Sequence, residues 1–349
     1  MEQRDGRSDV LAFDVGGANI KAADGLGWAH SEPFPLWRRP GDLAAALARI
    51  ASLRRPRRIV ATMTGEIADC FASREEGVSF IVDALATAAS PLSPEADLGL
   101  YLVDGTIVPP AAARARPLEA AAANWHALAR LASAHATANR ALVIDVGSTT
   151  TDVVPVADGV PAPLARDDVG RMATGELVYT GIERTPVAVI VRSLPWPSAG
   201  PGRRPIAAER YADSRDVWLL LGGLEEDAAA CDTADGRPAT RAAARVRLAR
   251  MLLADPGAFS PTDAEAAAEW CARAQARTVA RALARVMRAL GWRPECVVLA
   301  GHGGCLARRA CALLGARCAM IPLAERVGPA VSRAACAHAV ALVELGVLR

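Results

Sequence analysis

Two short stretches hold most of the residue types that handle phosphate. The first reads Asp14-Val15-Gly16-Gly17-Ala18-Asn19-Ile20-Lys21 and the second Asp145-Val146-Gly147-Ser148-Thr149-Thr150-Thr151-Asp152. In each, an aspartate near the end of an apolar run is followed two positions on by glycine. Glycine lets backbone N–H groups come close to an anion, and the aspartate can hold a hydrated divalent cation beside it. Lys21 lies two residues beyond Asn19, so on a strand the two share a face. Ser148, Thr149 and Thr150 add hydroxyl donors, and Asp145 or Asp152 can serve as metal ligand or base. The sequence therefore nominates Gly16, Gly17, Asn19, Gly147 and Ser148–Thr150 for phosphate, Asp14 and Asp145 for magnesium, and Asp14, Lys21, Asp145 and Asp152 for chemistry. A third glycine cluster, Gly301-His302-Gly303-Gly304, follows the apolar run Cys296–Leu299. Gly301, Gly303 and Gly304 suit the floor of a ligand site or a helix N-terminus near phosphate. The GxGxxG spacing of dinucleotide binders is absent, and His302 is expected to support rather than catalyse.

Composition sharpens the first stretch. Of 40 Lys plus Arg, one is lysine, Lys21. Where arginine supplies every other cation, a single lysine beside a glycine turn points to a need for a compact ammonium rather than a planar fork. Further polar residues stand out against an Ala- and Arg-rich background. Glu66 closes the run Thr62–Glu66, Asn124 opens Asn124-Trp125-His126, and Asp168, Arg171 and Arg184 follow the second stretch. Arg237 begins a cationic region. Arginine can clamp a carboxylate or phosphate through two parallel hydrogen bonds, so Glu66, Asn124, Asp168, Arg171, Arg184 and Arg237 are nominated for substrate.

These residues need strands that end at the turns. Val10–Val15 and Ala141–Val146 are apolar runs ending in Asp-Val-Gly, and they align without a gap, which suggests two similarly built domains. Strands are expected at 18–23, 28–34, 58–64, 98–103, 153–156 and 296–299. Helices are expected at 43–53, with Asp42 as N-cap, and at 77–88, 120–135, 241–253, 261–290 and 327–345. Leu194–Pro205 reads as a Pro/Gly/Arg-rich loop. The expected division is residues 1–137, with 327–349 packing back on them, and residues 138–326.

The 349 residues, 52% hydrophobic and 22% charged, suffice for about two cores. Net charge is +2 with no basic block, which argues against nucleic-acid binding. Eight cysteines form no CxxC pair or zinc-finger spacing and are expected reduced and packed. Met1–Asp9 is polar, with no apolar signal core, and no apolar run approaches the roughly 18 residues of a membrane span. A cytoplasmic protein acting on small molecules is expected, and a homodimer is compatible with it.

The three-part pattern resembles the actin/Hsp70/sugar-kinase superfamily, with Asp14–Lys21 and Asp145–Asp152 matching its two phosphate turns and Gly301–Gly304 its adenosine-side glycines. The resemblance implies an α/β fold of two ribonuclease-H-like domains with an interdomain cleft. A closer resemblance lies in FDVGGANIKAADG, TMTGEIADCF, NWHA, IDVGSTTTDVVPV, GELVYTGIERTPV and TADGRPATRAAARVRLARM. These segments resemble the hydantoinase/oxoprolinase-related proteins, in the branch of tetrahydromethanopterin-linked C1-transfer pathway proteins. Archaeal members of that branch join an aminomethylfuran-methyl diphosphate to the phenol oxygen of gamma-glutamyltyramine and release diphosphate in methanofuran synthesis. The resemblance implies the same reaction, or a methylofuran counterpart, with Mg2+ and without a requirement for ATP. Asp152, Asp168 and Glu66 are then candidate bases. The alternatives are an ATP-dependent kinase or hydantoinase/oxoprolinase-like amidohydrolase of the same fold, and a non-enzymatic nucleotide-binding scaffold.

Overall fold

The computed structural model describes residues 9–90 and 97–348; the polar start at residues 1–8 lies outside them. Strands β1 (Val10–Val15), β2 (Asn19–Ala23) and β3 (Ala29–Pro33) form a meander, followed by α1 (Leu43–Ser52), β4 (Arg58–Met63), α2 (Arg74–Ala89), β5 (Asp97–Tyr101) and β6 (Ile107–Val108). Short helices α3 (Pro110–Ala115) and α4 (Pro117–Ala120) precede α5 (Asn124–Ser133). The pattern then restarts with β7 (Arg140–Val146), β8 (Thr151–Ala157), β9 (Val160–Pro161), α6 (Asp168–Thr174) and β10 (Leu177–Val178). Next come α7 (Val187–Ile190), a two-stranded ribbon β11 (Ser193–Pro195) and β12 (Arg203–Pro205), α8 (Ser214–Leu220), α9 (Arg241–Met251) and α10 (Pro261–Leu290). The chain ends in β13 (Cys296–Gly301), α11 (Gly304–Leu313), β14 (Ala319–Pro322), α12 (Leu323–Val327), α13 (Pro329–Arg333) and α14 (Ala335–Glu344).

The chain divides into two compact units. One comprises Met1–Ala141, Pro155–Gly170 and Ile321–Arg349, and the other Leu142–Val154 and Arg171–Met320. The first unit's sheet runs β3-β2-β1-β4-β5-β6; β1–β2 and β2–β3 are antiparallel, β1–β4 and β4–β5 parallel. The second sheet runs β10-β8-β7-β13-β14, with β9 also on β8. With the edge strand β6 and the side strand β9 set aside and the remaining strands numbered in chain order, each sheet follows the order 3-2-1-4-5 of a ribonuclease-H-like fold. Two such α/β sheets in one chain are the pattern of the actin/Hsp70/sugar-kinase superfamily.

The first core explains the direction in which β1 points its aspartate. Leu11, Phe13 and Val15 join Leu43, Leu47 and Ile50 of α1 and Val78, Ile81 and Leu85 of α2 in one apolar cluster. Side chains alternate along a strand, so Ala12 and Asp14 take the opposite face, where α14 packs on β1, β2 and β4. The second core gathers Leu142, Ile144 and Val146 with Val279, Leu283 and Val286 of α10 and Leu306 of α11. Thirty-residue α10 is anchored at its start by Ser260 and Asp263, which bond each other's backbone in a capping box, and ends at Gly291 in the left-handed region.

Four expectations differ in detail. The helix expected at 120–135 begins only at Asn124, because Ala122 takes φ 48° and turns the chain after α4. The helix expected at 327–345 is two helices, α13 and α14, parted at Ala334 with φ −114° and ψ 30°, and Gly328 at φ 84° followed by Pro329 separates them from α12. Asp42 holds the N-cap position of α1 as expected, but its side chain makes no cap hydrogen bond; it closes a preceding 3-10 turn and its carboxylate accepts from Arg39 at 2.7 Å. The expected loop at 194–205 folds as the β11–β12 ribbon.

Candidate functional site

The two Asp-Gly turns have the same backbone closure. Gly16 N donates to Asn19 O at 3.0 Å, and Gly147 N donates to Thr150 O at 2.9 Å. A Cβ on Gly16 would lie 3.0 Å from Asn19 O, so glycine is what allows this tightness.

In the first unit, register sets three polar residues in a row across the sheet. Asp14 faces Lys21 on β2 and Thr62 on β4. Lys21 Nζ lies 3.8 Å from Asp14 Oδ2. Asp14 Oδ1 and Thr62 Oγ1 are buried and meet no hydrogen-bond partner. Burial raises the Asp14 carboxyl above its ordinary range; Lys21, and after it the Cys336 thiol on α14, oppose this without cancelling it. Buried polar atoms are nearly always satisfied, so this row is a place for a ligand, water or cation.

Glu66 extends the same pattern. It is 1% exposed and neither carboxyl oxygen meets a hydrogen-bond partner. Burial pushes its pKa up to about 7; its own backbone and Arg74 pull it down in part, and Asp168 raises it. Arg74 is itself bonded to Asp168 at 2.6 Å. A Cβ on Gly77 of α2 would lie 2.7 Å from Glu66 Cα, so the helix presses directly on the Glu66 backbone and fixes its position. The structure thus brings Glu66 and Asp168 to one place, with Ala122 adjoining and Asn124, half-buried, two residues on. Sequence reasoning passed over Arg74. Its signal was the Ser73-x-x-Glu76 spacing: Ser73 caps α2 by accepting from Glu76 N at 3.2 Å, which starts the helix at Arg74. His126 turns elsewhere, its Nδ1 2.7 Å from the buried Tyr101 hydroxyl.

In the second unit, three segments meet. Ile182 N donates to Gly147 O at 3.0 Å, and Glu183 N and Arg184 N donate to Ser148 O at 3.0 and 2.9 Å. Gly303 N donates to Val146 O at 3.1 Å. A Cβ on Gly301, which sits at φ +71°, would lie 2.5 Å from Asp145 Oδ1. Asp145, Gly147, Ser148, Thr149 and Thr150 are half-buried, Gly303 is buried, and Gly304 begins α11. This places the third glycine cluster directly against the second turn.

The remaining nominated residues have other surroundings. Asp152 pairs at 3.0 Å with Arg171, whose guanidinium is 1% exposed and also donates to Glu176 O at 3.2 Å. Arg171 is therefore given an internal partner, not a place as a solvent-facing clamp. Arg184 is exposed beside Ser148. Arg237 is 61% exposed, 3.9 Å from Asp235; in the same region Arg241 is also exposed, Arg247 is buried and bonded to Asp216 and Asp235, and Arg250 is bonded to Asp235.

A magnesium ion fits this donor set in a limited way. No group of three or more His, Cys, Asp or Glu able to hold a metal occurs among the described residues. The buried, unsatisfied Oδ1 of Asp14 suits a cation that keeps most of its ligands from water and phosphate, as magnesium does. No helix among the described residues is long and apolar enough to cross a membrane.

Residues 57–343 match the model of the hydantoinase/oxoprolinase family, and the chain belongs to that family. Within it, the chain is similar to the (4-{4-[2-(gamma-L-glutamylamino)ethyl]phenoxymethyl}furan-2-yl)methanamine synthase of Methanocaldococcus jannaschii, 29% identical over 70% of this chain and 72% of that protein. The protein of the same name from Methanococcus vannielii is 32% identical over 33% of this chain and 50% of its own length. Among solved structures, a ROK family glucokinase from Streptomyces griseus in complex with glucose and AMPPNP aligns over 95% of this chain and 97% of that one, at 13% identity and TM-score 0.47.

Proposed function

We propose that the chain is an enzyme that joins an aminomethylfuran-methyl group, carried as its diphosphate, to the phenol oxygen of gamma-glutamyltyramine or a tyrosine analogue. The observation that carries this reading is the similarity to the Methanocaldococcus jannaschii synthase over 70% of the chain. That protein's name describes an aryl ether of a furfuryl carbon. In the reaction, the bond from the methylene carbon to the diphosphate oxygen breaks, the bond from that carbon to the phenol oxygen forms, and the phenol proton goes to a base.

The chain's own residues suit each requirement. Glu66, with a pKa of about 7 in a water-poor setting, is a carboxylate ready to take a proton near neutral pH. Asp168 holds Arg74 beside it. Backbone groups of Gly16 and Gly17, Asn19, the Lys21 ammonium, Gly147 and the hydroxyls of Ser148, Thr149 and Thr150 are assigned to the diphosphate, where donors aimed at developing charge lower the barrier. Asp14 and Asp145 are assigned to magnesium, which supplies charge neutralisation for the leaving diphosphate. Arg184 and Arg237 are exposed cations suited to the acceptor's carboxylates.

The test is incubation of purified protein with the furfuryl diphosphate, gamma-glutamyltyramine and Mg2+. The expected outcome is the ether mass and one diphosphate per ether, with no ATP added. Membership of the hydantoinase/oxoprolinase family favours a second reading, ATP-dependent ring opening or phosphoryl transfer. ADP formation stimulated by a small acceptor, with no ether, would replace the first reading by the second.

A further inference from the structure

Beyond its capping Asp263, the buried face of α10 is alanine, cysteine, valine and leucine, with one interruption, Gln275. It is one of two glutamines in the chain and is 2% exposed, so its place in that face is not a matter of composition. Burying an amide costs free energy unless its polar atoms are bonded, and here both are. Trp218 Nε1 on α8 donates to Gln275 Oε1 at 2.9 Å. An indole can only donate, which fixes the oxygen end of the amide. Gln275 Nε2 then donates to Thr180 Oγ1 at 2.9 Å and to Gly181 O at 2.7 Å.

Thr180 and Gly181 lead into the segment on which the second Asp-Gly turn rests. Thr180 Oγ1 lies 3.0 Å from Thr185 Oγ1, which accepts from Gly181 N at 3.0 Å. Ser214 Oγ donates to Gly181 O at 2.9 Å and accepts from Thr185 N at 3.1 Å. Thr151, the first residue after the turn, donates from its hydroxyl to Thr180 O at 2.8 Å. Thr151, Thr180, Thr185, Ser214 and Gln275 are all buried. Gly181 is thus held by both its N–H and its carbonyl, and a Cβ on it would lie 2.5 Å from Ser148 O and Thr149 N. Directly after it, Ile182 N holds Gly147 O, and Glu183 N and Arg184 N hold Ser148 O. Any displacement of Gly181 therefore disturbs the peptide that joins Ser148 to Thr149. An apolar side chain of similar size would fill this space without desolvating an amide, but it could not hold two consecutive residues of the loop in one register. A buried polar network whose members are all satisfied makes rigid what it joins.

We propose that Gln275 is a positioning residue for the turn Gly147–Thr150: by clamping Thr180 and Gly181 from α10, it sets the backbone that presents Ser148 and Thr149 to a phosphoryl group. This rests on the reading that the turn binds diphosphate. Gln275 acts on the ligand only through Gly181.

Two measurements on the full chain test it. One is calorimetric titration with inorganic diphosphate and Mg2+; the other is hydrogen exchange of the amides of Ile182, Glu183 and Arg184, which bond the turn. Gln275→Met keeps the bulk and removes the clamp, Thr180→Val removes one hydroxyl, and Thr180→Ser keeps it. Gln275→Met and Thr180→Val are each expected to bind diphosphate about tenfold more weakly and to exchange these amides about tenfold faster. Thr180→Ser should match wild type in both. Val286→Ala, which opens a cavity elsewhere on the buried face of α10, should lower stability with neither effect. Gln275→Met that folds and retains wild-type affinity, with or without faster exchange, overturns the proposal and leaves the function reading standing. Equal losses in Val286→Ala and Gln275→Met overturn it too, because the effect would then be one of general stability. If Gln275→Met does not fold, as judged by thermal melting, wild-type affinity in Thr180→Val overturns the proposal on its own. Wild-type protein that binds no diphosphate removes the reading of the turn, and the proposal with it.

Discussion

Replacing Glu66 by glutamine should remove a pH-dependent loss of stability and disable the protein. The side chain is 1% exposed, and neither carboxyl oxygen has a hydrogen-bond partner. Its pKa rises from 4.5 to about 7. The folded state therefore binds the Glu66 proton more tightly than the unfolded state does. That advantage is complete below about pH 4.5 and is lost as pH climbs through 7, which corresponds to about 3 kcal/mol. Glutamine keeps the shape and has no such proton to lose. The gap in unfolding free energy between Glu66→Gln and wild type should thus widen by about 3 kcal/mol from pH 4.5 to pH 8, in favour of the variant. Comparing the two proteins across pH cancels the amide's own contribution. Urea unfolding of both proteins at half-unit steps of pH measures it. In parallel, the variant should form ether about a hundredfold or more slowly, as expected when a general base is removed. A gap that stays constant across this range would mean that Glu66 is not a buried titrating carboxyl, and the role of proton acceptor would fail with it.

Gly77→Ala places a methyl inside contact distance of the Glu66 backbone; it should destabilise by about 1–3 kcal/mol, although alanine in mid-helix normally helps, and thermal melting would detect the reversal. Gly301→Ala meets both a left-handed φ of +71° and the Asp145 carboxylate; it should abolish most diphosphate release while the fold, followed by circular dichroism, survives. Arg247→Met leaves Asp216, 1% exposed, without its cation; a loss of about 3–5 kcal/mol is expected in urea unfolding, with no direct effect on ligand binding.

The turns were legible because their chemistry is local. Asp-Val-Gly after an apolar run names a strand and a tight turn together, and both repeats close with the same glycine-to-carbonyl bond. Helix α10 was legible at both ends because Ser260, Asp263 and Gly291 carry capping signals. What the sequence could not place was set by contacts between distant residues. Arg74 meets Asp168 across 94 positions, and Glu183 meets His302 across 119. Arg171 has the residue type of a clamp, but burial commits it to Asp152. The break at Ala122 carries no composition signal at all, since alanine favours the helix that it ends.

The pairing of Lys21 with Asp14 has a practical corollary. This ammonium is the only side-chain amine in 349 residues, and it is 33% exposed. An amine-selective acylating reagent therefore has one side-chain target, at the first glycine turn. Mass spectrometry of the Lys21-containing peptide from reagent-treated protein, with and without a candidate anion, would report occupancy there directly, with no residue substituted.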